Sequence, residues 1–178
     1  MFSRSLTSIS LLIVLTVTLT AGGGAATLDY PEAKGYVNDF ANVIDAQSRD
    51  RLNALCTELD QNAHAQVAIV TIESLRGAPI EHYATSLFNK GGIGHKDDNR
   101  GILILLALSD HKSRIEIGRG FEGLFPDERV AKIVADMVPD LKQRHYSQAL
   151  LRCTRTIATI VAQERGVKLR ELDPSPTP

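Results

Sequence analysis

The sequence predicts a three-layer α/β/α sandwich whose central sheet is mixed, mostly parallel, with one antiparallel hairpin strand. Two apolar runs carry this reading, Gln66–Ile72 (QVAIVTI), β-branched and nearly all apolar, and residues 102–108 (ILILLAL), continuous and too short to cross a membrane. Runs of that kind fit strands covered on both faces. Between them, residues 80–89 place Tyr83, Ala84, Leu87 and Phe88 on one helical stripe. Strand, helix and strand in that order make a right-handed parallel crossover.

The remaining elements follow from spacing. Asp45 is a helix N-cap, and Leu52, Leu55, Cys56 and Leu59 recur at helical intervals behind it, so residues 46–61 read as an amphipathic helix. After the second apolar run, residues 109–113 turn the chain. Arg114, Glu116 and the isoleucines between them alternate polar with apolar, as a half-exposed hairpin strand requires. Val130, Ile133, Val134 and Met137 mark a further helix, and Leu150, Cys153, Ile157 and Val161 a last one.

Residues 1–26 have the layout of a secretory signal: Arg4, an apolar stretch over residues 6–19, then Gly22, Gly23, Gly24, Ala25 and Ala26. The expected cut precedes Thr27. Fourteen residues of helix at about 1.5 Å each fall short of a hydrocarbon core of roughly 30 Å, so no stable membrane anchor is expected in the mature form, which would be periplasmic or extracellular. A linker over residues 27–35, one domain over residues 36–166 and a flexible proline-rich tail over residues 167–178 complete the organisation. Twenty basic against twenty-one acidic residues give a formal charge of −1, which points away from nucleic acid. Cys56 and Cys153 lie in a compartment that permits disulfides, yet each sits on the apolar stripe of a helix; a bridge and two buried thiols are both open.

Because the hairpin strand runs back along its predecessor, the loop entering the second apolar run and the loop leaving the hairpin strand share one sheet end. The first offers Asp97, Asp98, Asn99 and Arg100; the second offers Arg119, Glu122 and, beyond Pro126, Asp127. Hard divalent cations such as calcium or magnesium take several oxygen ligands, and these side chains supply them from two loops. The competing reading is a solvated turn for Asp97 and Asp98, with Asp127 serving the positive end of a helix. Gly118, Gly120 and Gly123 spell GxGxxG, but no helix opens at the glycines and the strand is antiparallel to its neighbour, so a dinucleotide site is rejected and turns with positive φ are expected instead. GxSxG and HExxH are missing. His64, His82 and His145 read as ordinary helix or helix-end residues, without metal-ligand spacing.

The ordered segments resemble the TPM-domain family. The resemblance rests on residues 36–44 (YVNDFANVI), Phe88-Asn89-Lys90 with Gly92-Ile93-Gly94, Asp98-Asn99-Arg100-Gly101 before an apolar strand, and residues 115–123 (IEIGRGFEG) with Pro126-Asp127. It spans roughly residues 36–163. It implies an α/β/α sandwich and, in some members, a divalent cation held by loop carboxylates together with weak acid phosphatase activity. Carried over, the cation positions are Asp97, Asp98 and Asn99, with Glu122 and Asp127 beside them. Asp39 matches an acidic position of the family. Gly91 stands where relatives commonly carry Trp, and the glycine-rich tail and second membrane span of many bacterial relatives are missing.

Two functions compete. One is divalent-cation-dependent hydrolysis of phosphomonoesters, with Asp97 and Asp98 as ligands and Arg119 or Arg100 neutralising the phosphate. For both arginines a solvated loop is the alternative, and it suits Arg100 better. The other is a non-catalytic, cation-binding envelope module that assists a protein partner, motivated by the lack of any recognisable nucleophile.

Overall fold

A computed structural model describes residues 30–32 and 34–172. The expected signal segment, linker residues 27–29 and 33, and residues 173–178 lie outside the described residues. Among the described residues four strands line up in chain order: β1 (Val37–Asp39), β2 (Gln66–Ile72), β3 (Gly101–Ala107) and β4 (Lys112–Ile117). β1, β2 and β3 are mutually parallel, with Val37 opposite Ile69 and Gln66 opposite Gly101. β4 returns antiparallel to β3, with Ile104 opposite Ile115. The sandwich and its hairpin are therefore as the sequence predicts; the short β1 is an addition to it.

Alternation along the strands divides the core between two helical layers. Val67, Ile69, Ile102, Ile104 and Ile115 face α1 (Ala46–Ala63), α3 (Asp127–Lys142) and α4 (Tyr146–Arg165). Ala68, Val70, Leu103 and Leu105 face α2 (Ile80–Gly91) alone. Asp45 caps α1 by accepting from Ser48 N at 2.8 Å. α1 stops where His64 turns left-handed at φ 50°, its N–H bonded back to Leu59 O. Gly92 and Gly166 end α2 and α4 in the same conformation, which glycine adopts without strain.

One expectation changes, and one open alternative is resolved. Residues 167–172 are not a flexible tail: Leu169 is buried in the core, Arg155 donates to the Glu171 and Leu172 carbonyls, and Arg170 pairs with Glu58 at 3.0 Å. Val167, Leu169 and Leu172 are apolar enough to dock a segment whose nearby prolines suggested otherwise. Cys56 and Cys153 are separate, buried thiols, and burial pushes both up to about 12. They pack as small apolar side chains.

Candidate functional site

Parallel pairing of β2 with β3 sets the start of β2, and the chain just before it, beside the loop before β3. Gln66 N bonds to Arg100 O at 3.0 Å, and Gln66 Oε1 accepts from Gly94 N at 2.6 Å, so the loop over residues 92–100 is tied down along the start of β2. Asp98 Oδ1 accepts from Arg100 N at 3.0 Å, a local turn that fixes the Asp98 backbone. Its other oxygen points to His64. His64 Nε2 lies 3.4 Å from Asp97 Oδ2 and 3.6 Å from Asp98 Oδ2, and one ligand atom from each of the three residues falls within 4.8 Å of the others. The side chains are 46%, 72% and 29% exposed for His64, Asp97 and Asp98.

A second set of groups stands behind His64. The His95 ring stacks on it at 3.9 Å between centroids and 7° between planes. His95 Nε2 sits 2.6 Å from Asp60 Oδ1, and Tyr36 Oη donates to Asp60 Oδ2 at 2.6 Å. Burial first, then the hydrogen bond and charge of Asp60, raises the Tyr36 hydroxyl to about 12. Asp97 is held below the usual carboxylate range by its own backbone N–H and, secondarily, by His64.

The loop leaving β4 does meet the loop entering β3, through backbone. Gly118 N donates to Gly101 O at 2.8 Å and Gly120 N to Asn99 O at 3.2 Å. A Cβ on Gly120 would run into the Asp98 carbonyl, and one on Gly118 into the Asn99 carbonyl. This close approach explains those glycines. The expected positive φ does not: Gly118 has φ −71°, and none of Gly118, Gly120 and Gly123 is in the left-handed region, whereas Asn99 is, at φ 54°.

The predicted site residues therefore part company. Asp97 and Asp98 come together, with Asn99 next to them in the same turn. Glu122 and Asp127 do not join the trio; they line a groove of about 1000 Å³ between β4 and α3, Asp127 opening α3 where the helix dipole favours an acid. Arg119 is exposed on the adjoining loop. Arg100, expected in solvent, is buried: its guanidinium lies 4.3 Å over the Phe121 ring and bonds Glu164 at 2.7 and 3.4 Å. It clamps α4 to the loop and is not available to a substrate. Asp39 lies at the opposite sheet end, where its carboxylate accepts from Val43 N and Ile44 N in the turn into α1. His64 is the residue that sequence spacing missed. The parallel crossover already places the chain just before β2 against the loop before β3, and that geometry is the signal that points to it.

A family model described as the TPM domain matches residues 37–160. No curated protein matches the chain. The N-terminal domain of a protein from P. gingivalis has a similar structure, with 24% identity, 74% of this chain and 84% of that chain covered, and a TM-score of 0.69. The N-terminal domain of the cg2496 protein from Corynebacterium glutamicum matches at 14% identity over 74% and 83%, TM-score 0.58. The BA42 protein from Bizionia argentinensis matches at 18% over 75% and 91%, TM-score 0.59. These likenesses are likenesses of fold.

Proposed function

The chain belongs to the TPM-domain family, and from the meeting of His64, Asp97 and Asp98 we propose that it is an exported, divalent-cation-dependent phosphatase acting on phosphomonoesters. The trio carries the reading. Two ligands about 2.1 Å from a tetrahedral metal lie about 3.4 Å apart. The imidazole–carboxylate separations of 3.4 and 3.6 Å fit that spacing with little adjustment. Carboxylates alone point to calcium or magnesium; an imidazole in the donor set moves the preference toward zinc, with manganese still suited to the carboxylates.

A cation held there would polarise a phosphoryl oxygen. The chain's own groups would do the rest. Asp60 and Tyr36 hold His95, and His95 holds the His64 ring by stacking, so the imidazole keeps one orientation. Arg119, on the loop that donates Gly120 N–H to Asn99, would neutralise the ester's charge. The open setting suits an exposed phosphomonoester and not a substrate needing enclosure.

That same openness favours the second reading, a cation-ordered envelope module that assists a protein partner, since a site with Asp97 72% exposed excludes little water. The two separate in one experiment on the mature chain. Manganese, zinc, calcium and magnesium are titrated against melting temperature, and hydrolysis of p-nitrophenyl phosphate is followed from pH 4 to 8. A cation-dependent rise in melting temperature with turnover that Asp97→Asn abolishes is the expected result. A rise without turnover selects the partner module; no rise with any ion removes the cation from both.

A further inference from the structure

We propose that β4 is the seam of a homodimer, in which two copies pair their β4 strands antiparallel about a two-fold axis and join their sheets into one. Among the described residues the sheet runs β1-β2-β3-β4, so β4 has a neighbour on one side only. Gly118 N bonds to Gly101 O, and the bonding partners alternate along an antiparallel pair, so Glu116, Arg114 and Lys112 turn their backbone groups toward β3. Ser113, Ile115 and Ile117 turn theirs outward. Such a row of unpaired donors and acceptors is a template for another strand.

The side chains choose the occupant. Three antiparallel registers put outward-turned residues opposite one another near the centre of β4. With Ser113 opposite Ile115, Arg114 would face its own copy; with Ile115 opposite Ile117, Glu116 would. Both place like charges in direct opposition, which is unfavourable. With Ile115 opposite Ile115, Arg114 faces the partner's Glu116 and Glu116 the partner's Arg114. Arg114 and Glu116 already pair within one strand, at 2.9 Å, so the dimer would close a ring of four alternating charges. Only a second copy of this strand in this register satisfies both positions by symmetry.

The groove beside β4 agrees with that symmetry. α3 runs antiparallel to β4 and shows Val130, Ala131, Val134 and Ala135 to the groove, small side chains that let a second helix approach. Val138 continues the stripe and is 37% exposed. The groove is acidic where Glu122 and Asp127 lie, by Ile117. Its other end, by Ser113, has Lys142 and His111 lining the neighbouring cavity of about 270 Å³. A two-fold axis through Ile115 brings the acidic end of one copy to the basic end of the other.

Charge exchange tests both the partner and the register. Sedimentation of the mature chain at tens of micromolar is expected to give a dimer. Arg114→Glu alone and Glu116→Arg alone each place like charges across the seam, and each is expected to weaken the dimer about tenfold or more. Mixed together, the two variants are fully complementary and should form a mixed dimer, seen by labelling one of them; this also shows that both variants are folded. The double variant Arg114→Glu/Glu116→Arg should dimerise like the parent. A monomeric parent overturns the proposal and leaves the edge to an extended segment of another protein. A dimer indifferent to the single exchanges overturns it too, because its seam lies elsewhere.

Discussion

The two ends of the sheet gather carboxylates in different ways. At the C-terminal end of β1, Asp39 is only 2% exposed and every direction around it is taken. Its Oδ1 accepts from Thr71 Oγ1 at 2.5 Å and Val43 N at 3.1 Å, and its Oδ2 from Ile44 N at 2.9 Å and Arg49 at 3.0 Å. At the opposite end Asp97 and Asp98 face solvent and share one imidazole at looser distances. The first carboxylate is spent on the protein's own donors and organises the turn into α1. The second pair is less fully engaged: Asp98 Oδ1 takes the Arg100 N–H, while Asp97 Oδ2 and Asp98 Oδ2 meet His64 at 3.4 and 3.6 Å. Saturation by internal donors, more than residue type or position near a loop, separates a structural acid from a candidate ligand.

The contrast breaks most visibly at Asp39. Asp39→Ala strands the Thr71 hydroxyl, two backbone N–H groups and Arg49, and is expected to cost about 3 kcal/mol, read from the urea midpoint. If the loss is under about 1 kcal/mol, the network does not hold the turn together.

Gly120 tests the other end. Gly120→Ala drives a Cβ into the Asp98 carbonyl and the Arg100 side chain, neither of which moves freely. A loss of about 2 kcal/mol is expected, together with loss of any cation response, because the backbone of the ligand turn must shift. An unchanged cation response would show that the turn tolerates the displacement.

Acid separates the two ends without mutation. Burial raises the Asp39 carboxyl, but the hydrogen bonds from Thr71, Ile44 and Val43, with Arg49, outweigh it and hold the group below its usual value. A depressed folded pKa gives stability that is fully present above the unfolded value near 3.9 and is lost as pH falls through the folded one. The stability gap between the parent chain and Asp39→Ala should therefore be constant from pH 7 to about 5 and close below about 4. A gap that held its size down to pH 2 would mean that the charge on Asp39 contributes nothing.

What the sequence revealed of this contrast was uneven for physical reasons. The apolar runs of β2 and β3 are read directly, because burial on both faces leaves no polar residue to blur them. β1, with three residues, is too short for a period. Loop convergence could be inferred from the antiparallel hairpin, and it brought the right backbones together. It did not tell which way side chains leave those backbones, so Glu122 and Asp127 were grouped with Asp97 and Asp98 although they line the groove by α3. Arg100 looked like a solvated loop residue because its two partners, Phe121 and Glu164, are remote in sequence. His64 was legible only through the strand pairing, since it stands at a helix end more than thirty residues from the acids.

The smallest stability change is expected where function is proposed. Asp97→Asn and Asp98→Asn each keep the shape of the turn, and an amide oxygen at position 98 can still accept from Arg100 N. Asp97 is largely in solvent, and removing one of two adjacent like charges relieves some repulsion. Each variant without added metal should therefore melt close to the parent, since a substitution at an exposed turn position changes stability little. The same two variants should lose the rise in melting temperature that manganese or zinc produces in the parent, since ligand binding adds stability only through affinity for the folded state. A residue that costs little to replace yet abolishes a ligand's effect was kept for that ligand. If instead both variants unfold as readily as Asp39→Ala, the His64 end is held together by its acids as tightly as the Asp39 end, and the distinction between spent and available carboxylates fails for this fold.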